Sequence, residues 1–214
     1  MSLKINEIFY SIQGESVFVG LPTVFVRLSG CPLRCVYCDT SYAFYDGKRI
    51  SIDLIIKKIE SFPAKRVCVT GGEPLAQPLV LSLLQELCDL GYNVSVETSG
   101  ALSIAKIDDR VSVVLDLKTP ASGEVEKNLW ENLSYLKPID QVKMVICDRE
   151  DFVWAENVIR TNSIPQGCEW MLSPVTPGLD AKLLAEWILA ANPFLPVRLQ
   201  IQLHKYLWDD SPGR

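Results

Sequence analysis

Short apolar runs alternate along this chain with segments whose apolar residues recur every three or four positions. "TVFVRLS", Thr23–Ser29, reads as a strand. Ser51–Glu60 carries Ile52, Ile55, Ile56 and Ile59 on one helical face, with Ser51 placed to cap it. "RVCVT" is the next strand. Pro78–Leu90 aligns Val80, Leu83, Leu84 and Leu87, and Gly91 is placed to end that helix. The strands "NVSVE" and "VSVVLDL" follow, then a weaker helical pattern near Asn128–Lys137. "QVKMVIC" reads as a strand, Glu150–Thr161 as a helix and "EWMLS" as a strand. Ala181–Ala191 aligns Leu184, Trp187, Ile188 and Ala191 as a helix, and "VRLQIQL" closes the series as a strand. Alternating β and α with apolar strands predicts an α/β fold, either a parallel sheet or a partial β/α barrel. No linker or repeat interrupts the series, so one domain over residues 1–214 is expected. In such folds ligands gather at the C-terminal ends of the strands.

Composition narrows the setting. The chain has 214 residues, 48% hydrophobic and 22% charged, which is a globular balance. Its net charge of −5 argues against nucleic acid as a partner, because phosphate-driven binding needs a basic surface. No apolar run approaches the ~18 residues of a membrane span, and "MSLKINEIFY" lacks a signal-peptide pattern. A cytoplasmic protein with reduced thiols and no membrane association is expected. Cys68, Cys88, Cys147 and Cys168 lie scattered among apolar residues and read as buried small hydrophobes.

The other three cysteines cluster. "SGCPLRCVYCDTSYAF" spaces Cys31, Cys35 and Cys38 as C-x3-C-x2-C, directly after a strand. A structural zinc site wants a fourth ligand at matched spacing. No second C-x2-C is present, and the single histidine, His204, is far along the chain. Three thiolates on a 4Fe–4S cluster would leave one iron open to a small molecule. An incomplete zinc knuckle, serving a non-enzymatic interaction module, is the competing reading. The spacing, with Tyr37 just before Cys38, resembles the radical S-adenosylmethionine (SAM) superfamily, whose members bind SAM on the open iron.

Three further strand ends carry chemistry. "VTGGEP" offers Gly72 for close backbone approach and Glu73 as an acceptor for an ammonium, although a tight βα turn would also use two glycines. "VETSG" ends its strand with Thr98 and Gly100. "LDLKTP" supplies Asp116, Leu117 and Lys118, and Asp116 with Lys118 reads equally well as an isolated ion pair. Arg27 lies mid-strand between Val26 and Leu28, so its buried charge needs an anion: a ligand carboxylate, or Glu7 or Glu15. Gln200, Gln202 and His204 alternate with Leu199, Ile201 and Leu203, giving the last strand one polar face. His204 fits pocket lining and a structural hydrogen bond equally.

"NEIFYSIQGE", "FVRLSGCPLRCVYCDT", "VTGGEP", "VETSG" and "QLHKYL" occur in the order found in the 7-carboxy-7-deazaguanine synthases, a radical SAM family of queuosine biosynthesis that this chain resembles over most of its length. The resemblance implies a reduced parallel barrel, a homodimer, and an electron donor such as a flavodoxin or ferredoxin. It implies conversion of 6-carboxy-5,6,7,8-tetrahydropterin to 7-carboxy-7-deazaguanine and ammonia, with a 4Fe–4S cluster, SAM and Mg2+ as cofactors. Substrate would meet Ile12, Gln13, Gly14, Glu15, Arg27, Thr98, Gln202 and His204. SAM would meet Tyr37, Cys38 and Asp39, then Gly72, Glu73 and Gly100, then Asp116–Leu117–Lys118. Its adenosine would meet Ser173, Pro174, Val175 and Thr176, and Thr40 would hold Mg2+. Many members have Ser-Pro-Lys where Asp116-Leu117-Lys118 stands, and Gln-Pro where Ser173-Pro174 stands. Some end near the "HKYL" stretch, whereas this chain continues to Arg214. A small radical SAM activase, making a glycyl radical on a partner protein, is the alternative enzyme.

Overall fold

The computed structural model describes residues 1–191, 193–208 and 213; Arg214 lies outside them. Strand β1 (Ser2–Ile12) forms an antiparallel hairpin with β2 (Pro22–Leu28), with a register shift between Ile5 and Glu7. Strand β3 (Lys48–Ser51) pairs antiparallel on the other edge of β1. From β2 onward every pairing is parallel, through β4 (Arg66–Gly71), β5 (Asn93–Thr98), β6 (Ser112–Asp116), β7 (Gln141–Ile146), β8 (Glu169–Pro174) and β9 (Val197–Leu199). The nine strands run in the order β3-β1-β2-β4-β5-β6-β7-β8-β9. No ladder joins β9 back to β3 among the described residues, so the sheet is a partial β/α barrel, open along one seam.

Strand side chains alternate in direction, and here the two faces have opposite character. Val24, Val26 and Leu28 on β2, Val67 and Val69 on β4, and Val94 and Val96 on β5 join the buried outer core. Val113 and Leu115 on β6 and Val142 and Met144 on β7 continue it. Helices cover that face. α1 (Ile52–Glu60) brings Ile52, Ile55, Ile56 and Ile59, and α2 (Val80–Asp89) brings Val80, Leu83, Leu84 and Leu87. α3 (Arg149–Thr161) and α4 (Ala181–Ala190) add Phe152, Ala155, Val158, Ile159 and Leu184. The intervening residues Arg27, Thr70, Glu97, Asp116 and Lys143 instead line one cavity. The Ser51 hydroxyl accepts from Leu54 N–H at the start of α1, as its sequence position predicts. Gly91 takes φ +78° just past α2, a conformation open to glycine without strain.

Two expected elements differ. Around Asn128–Lys137 only a 3-10 segment forms, Trp130–Tyr135. The Asn128 side chain bonds Lys118 N–H and carbonyl. Asn132 bonds Ile104 N–H and the carbonyls of Gly100 and Leu102. These asparagines serve neighbouring loops, and such side-chain bonds compete with a regular helix. The "VRLQIQL" strand stops at Leu199, and a short helix α5 begins at Leu203 (Leu203–Trp208). Gln200 N–H still bonds Leu172 carbonyl, but Leu203 N–H turns to the carbonyl of Gly14 on the far side of the seam. Gln200 is buried and does not line the cavity, so the expected polar strand face is not formed.

Leu84 is fully buried beneath α2. Leu84→Ala should lower unfolding free energy by roughly 2–5 kcal/mol, read from urea melts.

Candidate active site

The cysteine loop leaves the end of β2 and is stitched to the loop after β4. Gly72 N–H bonds the carbonyl of Leu28 at 3.1 Å, and Glu73 N–H bonds that of Gly30 at 2.7 Å. A Cβ on Gly72 would run into the Gly30 carbonyl and Cys31, so the close approach requires glycine. Cys31, Cys35 and Cys38 are free thiols lining the same cavity. Burial pushes the Cys31 thiol up. Burial also pushes Cys35 to about 11, with Lys118 opposing and Asp116 adding to the rise.

The donor set fits a 4Fe–4S cluster. Among the described residues no three Cys, His, Asp or Glu side chains converge on a single ion. The three thiols nonetheless line one cavity, and a polynuclear cluster takes its ligands further apart than a single ion does. The SAM region fits too: Asp116 Oδ1, on a residue that lines the cavity, is buried without a hydrogen-bond partner among the described residues, as an atom awaiting a ligand would be. Thr40 lines the cavity and precedes the 3-10 segment Ser41–Phe44, yet its hydroxyl makes no capping bond and has only a weak 3.9 Å contact with Cys38 Sγ. That leaves a hard oxygen available to Mg2+.

Glu73 departs from its expected role. It is fully buried and does not line the cavity. Its carboxylate accepts from Leu75 N–H at 2.9 Å, Thr98 Oγ1 at 2.8 Å, Ser99 N–H at 2.7 Å and Ser99 Oγ at 2.6 Å. Four bonds fill its acceptor capacity, so it ties the two loops together, and it is Gly71 and Gly72 beside it that line the cavity.

The segment after β1 crosses the open seam. Glu15 Oε2 pairs with Lys143 Nζ at 2.6 Å, and Glu15 Oε1 accepts from Gln202 Nε2 at 2.8 Å. Burial alone would raise the Glu15 pKa; the Lys143 charge, helped by His204, outweighs it and brings it to about 2. His204 packs directly on Gly14, which has no room for a Cβ. Lys143 also approaches Asp116 at 3.4 Å, and Asp116 pairs with Lys118 at 3.1 Å. Lys205 Nζ, 3.6 Å from Asp39, donates to Thr176 carbonyl at 2.8 Å.

Arg27 Nε pairs with Glu7 Oε1 at 2.7 Å, so the ion-pair reading holds for that nitrogen, with Glu7 rather than Glu15 as partner. Tyr42 OH donates to the same oxygen at 2.9 Å. The two terminal guanidinium nitrogens have no hydrogen bond among the described residues, and Arg27 lines the cavity.

The cavity has a volume of about 220 Å³. It brings together Ile12, Gln13, Gly14, Glu15, Arg27, Thr98, Gln202 and His204 with the three cysteines, Thr40 and Tyr37. Asp39, Gly72, Asp116, Lys118, Val175 and Thr176 share it. Gly100, Leu117, Ser173 and Pro174 lie behind the wall; Leu117 is fully buried in the apolar core. Sequence reasoning missed Thr70, Glu97 and Lys143. Lys143 sits mid-strand in "QVKMVIC", a buried charge among apolar neighbours that, like Arg27, needs an anion.

A radical SAM active site is the class these strand-end loops define, and the family model described as "Radical SAM superfamily" matches residues 25–127. A 7-carboxy-7-deazaguanine synthase from Chlorobaculum tepidum is 45% identical, covering 99% of this chain and 97% of its own. One from Thermoplasma acidophilum is 36% identical over 99% and 100%. The crystal structure of QueE from Escherichia coli superposes with a TM-score of 0.76 at 24% identity, covering 95% of each chain, a likeness of fold. The chain belongs to the 7-carboxy-7-deazaguanine synthase family.

Lys143→Met strands a buried carboxylate, so at pH 7 it should cost roughly 3–5 kcal/mol in urea melts. The Glu15 pKa is 4.5 unperturbed and about 2 in the folded protein. The stabilisation is therefore complete above pH 4.5 and lost as pH falls toward 2. The gap between wild type and variant should shrink over that window.

Proposed function

We propose that this chain converts 6-carboxy-5,6,7,8-tetrahydropterin to 7-carboxy-7-deazaguanine with loss of ammonia, a carbon–nitrogen lyase reaction of queuosine biosynthesis. The observation that carries the reading is the joining, in one cavity, of three free thiols and an arginine with two uncommitted nitrogens. When bound, a 4Fe–4S cluster with SAM supplies the hydrogen-abstraction chemistry that starts the rearrangement. Cys31, Cys35 and Cys38 would hold the cluster, and Thr40 would hold Mg2+ beside it. Lys118, Asp116, Val175 and Thr176 would seat SAM, with the backbone at Gly72. Arg27 would orient the substrate carboxylate with its terminal nitrogens while Glu7 fixes its Nε. Thr98, Gln202 and His204 would line the ring's surroundings, and the Gly14–Leu203 bond and Glu15–Lys143 pair would keep water out at the seam.

A cavity of about 220 Å³ lined by charged side chains suits a small anionic substrate better than the chain of a partner protein, which argues against a glycyl-radical activase. The functional unit is the single domain of residues 1–214, working as a homodimer in the cytoplasm. A flavodoxin or ferredoxin supplies its electrons.

The test is anaerobic reconstitution with iron and sulfide, then incubation with the pterin, SAM, Mg2+ and reductant. Formation of 7-carboxy-7-deazaguanine and ammonia is expected; zinc uptake without sulfide, or SAM cleavage without pterin turnover, would defeat the reading. Losing the charge-assisted bonds in Arg27→Ala should weaken pterin binding about 10–100-fold. SAM binding should stay near wild type, both read by calorimetry. Thr40→Ala should blunt Mg2+ stimulation while iron and sulfide content stay unchanged.

A further inference from the structure

Four carboxylates line the cavity: Glu15, Asp39, Glu97 and Asp116. Three are matched to cations, Glu15 to Lys143, Asp116 to Lys118 and Asp39 to Lys205. Glu97 has no ion pair among the described residues. Its donors are all neutral: Gln13 Nε2 at 3.2 Å and Cys68 Sγ at 3.4 Å on Oε1, and Thr70 Oγ1 at 3.1 Å on Oε2. A carboxylate offers about four acceptor sites, and a thiol is a weak donor. Glu97 therefore retains capacity on Oε2 and holds Oε1 with one weak, replaceable bond.

Its position is set by register. Arg27 on β2 pairs with Thr70 on β4, and Val69 pairs with Val96, which puts Glu97 on β5 just beyond Thr70. Neighbouring strands lie about 4.8 Å apart, so Arg27 and Glu97 spring from positions roughly 10 Å apart on one level of the cavity wall. A bicyclic ring with a carboxylate at one end and hydrogen-bond donors at the other spans such a gap. Gln13, which the resemblance places against substrate, gives one of its amide protons to Glu97, and its side-chain carbonyl accepts from Glu15 N–H at 3.3 Å. Those two bonds hold it where it orients Glu97.

We propose that Glu97 is the specificity residue for the pyrimidine end of the substrate, accepting the parallel ring N–H and exocyclic amino donors of a 2-amino-4-oxo ring. This rests on the pterin reading above. Two parallel N–H donors facing two carboxylate oxygens repeat the fork geometry of arginine with a carboxylate. An analogue with oxygen in place of the 2-amino group would set an acceptor against Glu97 and leave the carboxylate short of a donor.

The experiment compares 6-carboxy-tetrahydropterin with 6-carboxy-tetrahydrolumazine, its 2-oxo counterpart, on cluster-loaded wild type and Glu97→Gln. Wild type should prefer the 2-amino compound by about 100-fold or more in kcat/KM, as sites built around a specific hydrogen bond do. Glutamine presents one donor and one acceptor. Glu97→Gln should therefore lose about 10–100-fold toward the pterin and narrow or invert the preference, with SAM binding unchanged. A variant that weakens both compounds equally shows Glu97 to be a spacer between Gln13, Cys68 and Thr70, and overturns the proposal. Should Glu97→Gln not fold, wild type decides alone: equal use of the two compounds refutes the role. Wild type that turns over neither would sink the pterin reading itself, and this one with it.

Discussion

An open parallel sheet needs something to hold its two edges in register, and here a single buried ion pair spans the seam. Glu15, from the turn after β1, reaches Lys143 on β7, with Gln202 bonded to the same carboxylate. The Leu203–Gly14 backbone bond lies alongside. The cavity wall on that side is therefore made of side chains and loop ends rather than ladder. Losing one member of such a pair leaves an uncompensated charge away from water, which is why the seam depends on both.

The second constraint is the division of each strand into an apolar outer face and a charged inner one. Helices α1 to α4 bury the outer face, so the inner face is free to carry arginine, lysine and carboxylates. Those charges are tolerable because each finds a partner: Arg27 with Glu7, Lys143 with Glu15, Lys118 with Asp116. Glu97 stands apart, supported by neutral donors only. The pattern of pairing thus sets Glu97 apart from the other charged groups of the inner face.

Much of this was legible in the sequence, and the failures have physical causes. α1 and α2 follow from isoleucine and leucine spacing, since burying a full stripe leaves little freedom. The cysteine loop follows from spacing alone. β1 was harder: past Leu3 and Ile5 it is only partly buried, so its alternation is faint. β3 shows two exposed charged residues and no apolar stripe. The helix near Asn128 failed because two asparagines serve distant loops, which no local pattern records. Glu73 reads as a ligand contact because Gly71 and Gly72 beside it line the cavity; only the positions of Thr98 and Ser99 reveal that it is saturated.

Among the described residues, the open barrel leaves β3 and β9 without an outer neighbour, and both are poor templates for another chain. β3 is four residues long and begins with exposed Lys48 and Arg49. β9 is three residues long, with Arg198 drawn to Glu169. Short, charged borders resist the backbone-to-backbone addition that turns open sheets into fibres. Copies of this protein can therefore meet through side-chain surfaces at high concentration without zipping their sheets together.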